Sequence, residues 1–355
     1  MLSCAVDVRV LDAADPEQRG EWLAAWTEWP AREVFAHPGY VSLYAAPGDR
    51  AMCAVLRVPG GGIVHPFIAR DVSAMPGAQG AACDLVSPYG YGGPHAWGTG
   101  AEAAADFWRG LDEWAAGEGA VSEFIRFPLA HGDALDLPYP GDREQKQLNV
   151  ARSLDMEMDE LWMDFEHKVR KNVNKARRSG VTVVVDPAGE RLDDFLRIYN
   201  ETMDRREAGG GYYFGRGFFE RIGADLPGQH CYLHALHEGE VISTELVLVS
   251  EENVYSFLGG TDSRFFALRP NDLLKHEIIA WAKAQRKRRF VLGGGYEPDD
   301  GIYRYKLAFA PHGAVPFFAG TRVLRPDAYE ALVRARAAAE PGWQPRPGFF
   351  PAYRA

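Results

Sequence analysis

LRPNDLLKHEIIAWAKAQRKRRFVLGGGYEPDDGIYRYKLAF, residues 268–309, decides the fold. Pro270 suits a first helical turn, where its missing N–H costs nothing. From there Leu274, Ile278, Trp281 and Ala282 recur at helical spacing and mark one buried face. The helix runs out into Lys283, Arg286, Lys287, Arg288 and Arg289, cations that suit the negative end of a helix dipole. Phe290, Val291 and Leu292 then make a short apolar strand, and Gly293, Gly294 and Gly295 leave bare backbone at its end. Tyr305 and Lys306 follow in a short segment. A strand end, a glycine loop open to a ligand and a nearby lysine together make a candidate reaction site.

Working outward, the region before this stretch reads as a strand over 181–185, helices over 192–206 and 217–224, and strands over 231–236 and 241–250. Glu238-Gly239 between those two strands is a hairpin turn, and a further strand covers 254–258. The first part of the chain repeats that order. A strand over 6–11 precedes a helix rich in Trp22, Trp26 and Trp29, then a helical piece over 38–44. Strands over 51–58 and 62–70 flank the turn at 59–61, and a third strand ends near Val86. A helix over 102–117 and a strand over 121–127 complete the series. No residue-level repeat links the halves; the duplication lies in the order of elements.

The chain has 355 residues, enough for two domains or one large one. Its apolar fraction of 46% and charged fraction of 25% are those of an ordinary globular protein. A formal net charge of -10 excludes a generic nucleic-acid binder, so any polyanion has to be met by a local basic patch. Cys4, Cys53, Cys83 and Cys231 stand far apart, without metal spacing or a disulfide framework, and point to reduced thiols in a cytoplasmic protein. The N-terminal residues carry early acids and no long apolar core, so no signal peptide is expected, nor is a membrane span.

Four segments narrow the reading: DLVSPYGYGGP (84–94), FEHKVRKNVNKARRSGVTV (165–183), TMDRREAGGGYYF (202–214) and the closing PNDLLKHEIIAWAK…GGG…DGIYRYKLAF. In this order, over residues 30–320, they resemble the Fem family of aminoacyl-tRNA-dependent amino acid transferases. The resemblance implies an α/β, layered α+β architecture of two tandem GNAT-like acyltransferase domains with mixed sheets. It divides the chain into a first domain at 1–150 and a second at 151–317, with residues 318–355 packing back on the first. It also implies transfer of an amino acid from aminoacyl-tRNA to an amine, with peptide-bond formation and no further cofactor or metal.

Individual residues carry the chemistry. Leu161, Phe165, Val169, Val173 and Ala176 form one narrow apolar stripe of a helix. Lys168, Arg170, Lys171, Lys175, Arg177 and Arg178 occupy the opposite side with no acid among them. A solvated helix face usually mixes both signs to gain i,i+4 pairs, so this run reads as a phosphate-binding surface, most simply for tRNA. Lys283 to Arg289 supply a second acid-free cluster. Lys306 matches the family's transfer lysine, a point charge for the tetrahedral oxyanion and the terminal phosphates. Tyr305 is placed to stack on the terminal adenine, and Arg304 to touch phosphate. A surface lysine on an amphipathic turn is the other reading of this pair. On the acceptor side the resemblance points to Tyr89 and Tyr91 in the first domain, and to Arg205, Tyr212 or Tyr213, and Tyr255 in the second. Arg126, a charge on an apparent interior strand, joins them as a candidate. His65, His95, His230, His234, His237 and His312 are scattered and suggest no catalytic constellation.

Tyr44 stands where relatives that use nucleotide-linked cell-wall precursors carry a lysine, and no heptad segment marks the family's coiled-coil arm. The acceptor is therefore a peptide or amine in natural-product tailoring as readily as a peptidoglycan precursor. An acyl-CoA-dependent N-acyltransferase is the alternative. The run Thr261 to Phe266, before the Pro270 helix, lacks the glycine-rich pyrophosphate loop such enzymes use. A non-catalytic tRNA- or peptide-binding protein on the same scaffold is a third reading.

Overall fold

The computed structural model describes residues 8–78, 80, 83–129, 137–207 and 209–355. Cys4 and the first two residues of the strand expected at 6–11 lie outside them, as does Ala208 of the segment 202–214. The chain divides into two compact units. The first comprises residues 1–30, 35–146 and 316–355; the second comprises 31–34 and 147–315.

The first unit opens with β1 (Arg9–Asp12) and α1 (Pro16–Glu28). Asp15 caps α1 by accepting from the Glu17 and Gln18 N–H groups, and Pro16 takes the first turn. Next come α2 (Pro38–Ser42), β2 (Arg50–Val58), β3 (Gly61–Asp71), β4 (Cys83–Val86) and β5 (His95–Trp97). Helix α3 (Ala101–Gly117) and β6 (Ala120–Arg126) follow. Sheet order is β1-β2-β3-β4-β6, antiparallel except for the parallel pair β4–β6 that α3 connects, with β5 also on β3. Phe107, Trp108, Leu111 and Ala115 put the apolar face of α3 on this sheet.

The second unit begins in β7 (Asp142–Ser153), a strand absent from the sequence reading. The single basic helix expected from the stripe at 161–176 is two helices, α4 (Met158–Asp164) and α5 (His167–Arg178). Phe165 turns extended between them (ψ 145°), and Arg170 spans the break by donating to the carbonyls of Met163 and Phe165. The stripe still points inward, because Leu161, Phe165, Val169, Val173 and Ala176 are all buried. The chain continues through β8 (Thr182–Asp186), α6 (Leu192–Arg205), α7 (Arg216–Asp225), β9 (His230–His237) and β10 (Glu240–Val249). Glu238 (φ 51°) and Gly239 (φ 85°) both adopt the left-handed conformation that a two-residue hairpin turn demands.

Then come β11 (Asn253–Thr261), α8 (Pro270–Ala284), β12 (Arg289–Gly293) and α9 (Gly301–Leu307). Sheet order here is β7-β12-β11-β10-β9-β8. Its one parallel pair, β11–β12, is joined by α8. Leu274, Ile278, Ile279 and Ala282 bury α8 against this sheet, whereas Trp281 is half-buried. The chain ends in β13 (Ala314–Val323) and α10 (Pro326–Ala339). β13 pairs antiparallel with β6, and Ala328, Leu332 and Tyr353 share a buried cluster with Val72 and Val121 of the first unit. Each unit thus has a meander, a crossover helix and a parallel strand pair, as the GNAT-like expectation requires. Cys53, Cys83 and Cys231 are free, buried thiols.

Candidate active site

A gap in the second sheet makes the site. β11 and β12 pair over Asn253–Tyr255 and Arg289–Val291, and beyond that β11 runs on to Thr261 beside β10 alone. The end of β11, the N-terminal half of α8, the last turn of α6 and α9 enclose a cavity of 710 Å³. Its charged lining residues are Arg205, Arg206, Arg269, Lys275 and Lys306 against Glu245, Asp272 and Asp300, an excess of positive charge in an acidic protein. Arg269 enters α8 in the left-handed region (φ 61°), an uncommon conformation for a non-glycine residue that recurs at functional sites.

Lys306 sits in the last turn of α9, and Asp300 caps that helix by accepting from Tyr303 N at 2.7 Å. The same carboxylate accepts from Tyr296 N at 2.7 Å and so folds the glycine loop back onto the helix. A Cβ at Gly295 would come within 2.3 Å of Asp300 Oδ1, which explains the bare backbone there. The Lys306 Nζ donates to the Gly294 carbonyl at 2.6 Å. Burial first, and Lys275 second, push its pKa down to about 8. Tyr305 receives a hydrogen bond on its hydroxyl from Asn271 Nδ2 at 2.8 Å, and its ring packs edge-on against Phe309.

Beneath them lies a buried ion pair that the sequence reading missed. Lys275 Nζ donates to both Glu245 oxygens, at 2.5 and 2.6 Å, and to Ser256 Oγ at 2.8 Å. Both partners are almost fully buried, so each requires the other. The available signal was Asp272, Lys275 and Ile279, charged and apolar residues spaced along one inward helical stripe.

The remaining candidates have varied placements. Arg205 lines the cavity, stacked 5.1 Å from Phe266 and donating to Thr202 Oγ1. Arg304 turns outward to an exposed pair with Asp299, away from the cavity lining. Tyr213 is exposed and donates to Asp204, and Tyr255 is buried with its hydroxyl on Glu33 at 2.8 Å; neither lines the cavity. Burial raises the Glu33 pKa to about 7. In the first unit Arg126 lies 5.7 Å from the Tyr89 ring, and Tyr91 packs edge-on against Phe35 and Phe317. The Tyr44 hydroxyl sits 3.3 Å from that of Tyr40.

On α5 the six cations divide. Arg170 is used at the helix break, and Arg177 bonds Glu277 at 2.9 Å and lies over Trp162. Lys168, Lys171, Lys175 and Arg178 form an exposed stripe in which Lys168 pairs with Glu166. Among the described residues the other three have no side-chain partner. Asn172, in the middle of this helix, donates to Asp272 of the cavity wall at 3.1 Å. Three members of the second basic cluster are engaged: Lys283 faces Glu157, Lys287 donates to the carbonyls of Ser250 and Glu251, and Arg288 faces Glu252. Of the sequence candidates, the cavity therefore gathers Arg205, Tyr305 and Lys306.

The first unit has a cavity of 780 Å³ lined by residues of α3, 140–142 and β13. Its cations are committed, Arg322 to Asp112 and Glu123, and Arg325 to the carbonyls of Gly80 and Gly119. The candidate site is therefore the cavity of the second unit.

Residues 163–307 match the family model described as an acetyltransferase (GNAT) domain. This stretch is the second unit's α5-to-α9 core, and the match supports acyl transfer as its class of chemistry. A comparison with curated protein sequences gave no significant match. Among solved structures, FemX aligns with a TM-score of 0.69 at 15% identity, over 88% of this chain and 97% of its own. The C-terminal domain of a putative lysylphosphatidylglycerol synthetase from Agrobacterium fabrum aligns at 0.55 and 13% identity, covering 90% and 97%. A conserved protein of unknown function from Bacteroides thetaiotaomicron aligns at 0.53 and 10% identity, covering 89% and 99%. Among the described residues no helix is long and apolar enough to cross a membrane. The chain has a Fem-like GNAT fold.

Proposed function

We propose that this chain is a cytoplasmic aminoacyltransferase that moves an amino acid from aminoacyl-tRNA to the amine of a peptide or small-molecule acceptor. One observation carries the reading: the exposed basic stripe Lys168, Lys171, Lys175 and Arg178 rides on a helix pinned to the cavity wall through Asn172 and Asp272. A polyanion along α5 would deliver its end to the cavity, where Lys306 and Arg269 meet the last phosphates. Conversion of an ester to an amide is downhill, so the protein has to position the amine and stabilise the oxyanion. Lys306 supplies the charge for the oxyanion, and Tyr305, Arg205 and Thr202 shape the space beside it. The similarity to FemX in fold is consistent with this chemistry. The setting we propose is natural-product peptide tailoring or branching of a peptidoglycan precursor.

The acetyltransferase-domain match favours a second reading, acyl-CoA-dependent N-acylation in the same cavity. Against it, the segment entering α8 is a 3-10 helix over Ser263–Leu268 capped by Asp262, not a glycine loop that would cradle a pyrophosphate. The test mixes the protein with tRNA charged with one radiolabelled amino acid at a time and an amine-rich extract. Label passing into a base-stable product with intact tRNA, and not after ribonuclease, is the expected result. Transfer from acyl-CoA combined with no retention of tRNA would replace the first reading by the second.

A further inference from the structure

The scattered histidines were expected to form no catalytic constellation; one of them sits in a buried hydrogen-bonded chain. Asp186 closes β8, His234 lies on β9, and Thr244 is its direct partner on β10. Thr244 Oγ1 lies 2.8 Å from His234 Nδ1, and His234 Nε2 lies 3.2 Å from Asp186 Oδ2. Asp186 also accepts the Glu190 and Arg191 N–H groups, each at 2.9 Å. Burial acts to raise its pKa, but those backbone donors and His234 outweigh it and hold the carboxyl below its usual range.

An ionised Asp186 accepts, so the His234 Nε2–H donates to it, Nδ1 is an acceptor, and the Thr244 hydroxyl donates to Nδ1. Burial lowers the His234 pKa, which keeps the ring neutral and ready to take a proton; Arg191 before α6 and Asp194 on α6 are the other charges that bear on it. Among the described residues Thr244 Oγ1 has no other hydrogen-bond partner. Thr244 lines the 710 Å³ cavity together with Thr202 and Gly260. Gly260 is the partner of Thr244 on β11, and a Cβ there would come within 2.3 Å of Thr202 Oγ1.

We propose that Thr244, His234 and Asp186 form the proton relay of this cavity. The inference rests on acyl transfer to an amine occurring here, not on whether the donor is aminoacyl-tRNA or acyl-CoA. As the amine lone pair forms the C–N bond, one N–H proton passes to Thr244 Oγ1. The threonine's own proton moves to His234 Nδ1, and Asp186 holds the resulting imidazolium. When the tetrahedral adduct collapses, the C–O or C–S bond pair leaves on the donor's oxygen or sulfur. That atom takes the proton back along the same path. No net proton, oxidant or reductant is required, and the relay returns to its starting state.

The test measures transfer from each donor to a simple amine by the wild type, Thr244→Val, Thr244→Ser and His234→Gln, with thermal midpoints confirming folding. Positioned proton transfer contributes about 10²–10⁴-fold. Thr244→Val and His234→Gln should lose at least about a hundredfold in kcat with the donor KM unchanged, while Thr244→Ser keeps most of the rate. The acidic limb of the kcat profile should vanish in His234→Gln. Nitrogen NMR of the wild type should show His234 protonated at Nε2. Full kcat in a folded Thr244→Val protein, or a wild-type ring protonated at Nδ1, would overturn the relay. A wild type inactive with both donors would instead remove the acyl-transfer reading on which the relay rests.

Discussion

The two units repeat one plan and differ in what they bury at the parallel strand pair. In the first, β4 and β6 are joined by α3, whose inward face is Ala104, Phe107, Trp108, Leu111 and Ala115. In the second, β11 and β12 are joined by α8, whose buried residues include Asp272 and Lys275 as well as leucines and isoleucines. The first unit has a buried charge cluster too, but there Arg322 joins Glu123 to Asp112 and packs over Trp108. Both clusters line cavities, but the second unit's pair of Glu245 and Lys275 shares its cavity with Lys306, which has no carboxylate partner among the described residues. One fold thus carries two arrangements: the buried acid's cation comes from the crossover helix in the second unit, as Lys275, and from a strand in the first, as Arg322.

The largest effect that would sharpen this contrast is expected at Lys306. Lys306→Ala should reduce kcat by about 10²–10³-fold, the usual cost of removing one oxyanion-stabilising group, with the circular dichroism spectrum unchanged. Full activity in that variant would move the chemistry elsewhere. Next in size is a stability effect at the paired acids. Glu245→Ala leaves Lys275 buried without its carboxylate and should cost about 3–5 kcal/mol. Glu123→Ala should cost less, because Arg322 keeps its 2.8 Å contact with Asp112. Thermal midpoints of the two variants decide the matter, and a larger loss at Glu123 would break the comparison.

Much of this contrast was legible in residues 268–309, because α8 and β12 follow their own periodicities and Pro270 and Gly293–Gly295 punctuate them. Strand β7 was not, since most of Asp142–Leu148 is exposed and polar; its pairing with β12 is confined to Val150–Ser153, as where Ala151 opposes Val291. The break at Phe165 was hidden because both helices keep the same apolar stripe inward, and the period runs through the gap. Within the site, Tyr305 and Lys306 stood out by family pattern. The pairs Glu245–Lys275 and Asp186–His234–Thr244 did not, because their members lie on separate elements and only tertiary structure brings them together. Arg170 and Arg177 looked like binding cations, yet local carbonyls and Glu277 use them.

That division of α5 gives the third prediction. Reversing Lys171, Lys175 and Arg178 together to Glu should weaken tRNA binding by about a hundredfold and make its salt dependence shallower by roughly two to three counterions. Replacing Arg170 and Arg177 should lower the thermal midpoint while leaving the salt slope nearly intact, because both are held by protein partners. Filter retention across a salt series reads both. A triple variant that binds as the wild type does would detach α5 from the donor.

The smallest effect is a pH limb, and its sign follows from Lys306. Burial and Lys275 lower its pKa from 10.5 to about 8, so its ammonium is complete well below that value and is lost as pH rises through it. If the ammonium holds the oxyanion, the rate falls above about pH 8, and by pH 9 roughly a tenth of the charged form remains. Hydroxylamine as acceptor, largely uncharged at neutral pH, keeps the acceptor's own ionisation out of this limb. Lys306→Arg stays charged and should lose the alkaline fall, though at a lower plateau because a guanidinium does not fit the Gly294 carbonyl as an ammonium does. The same shift bears on stability. Between about 8 and 10.5 the unfolded chain binds the proton that the folded lysine has released, so stability contributed by this group rises with pH across that window. Lys306→Met should flatten that rise. A rate that instead climbs through pH 8 in the wild type and loses the climb in Lys306→Arg would make the neutral amine the working form, and Lys306 a base beside the relay.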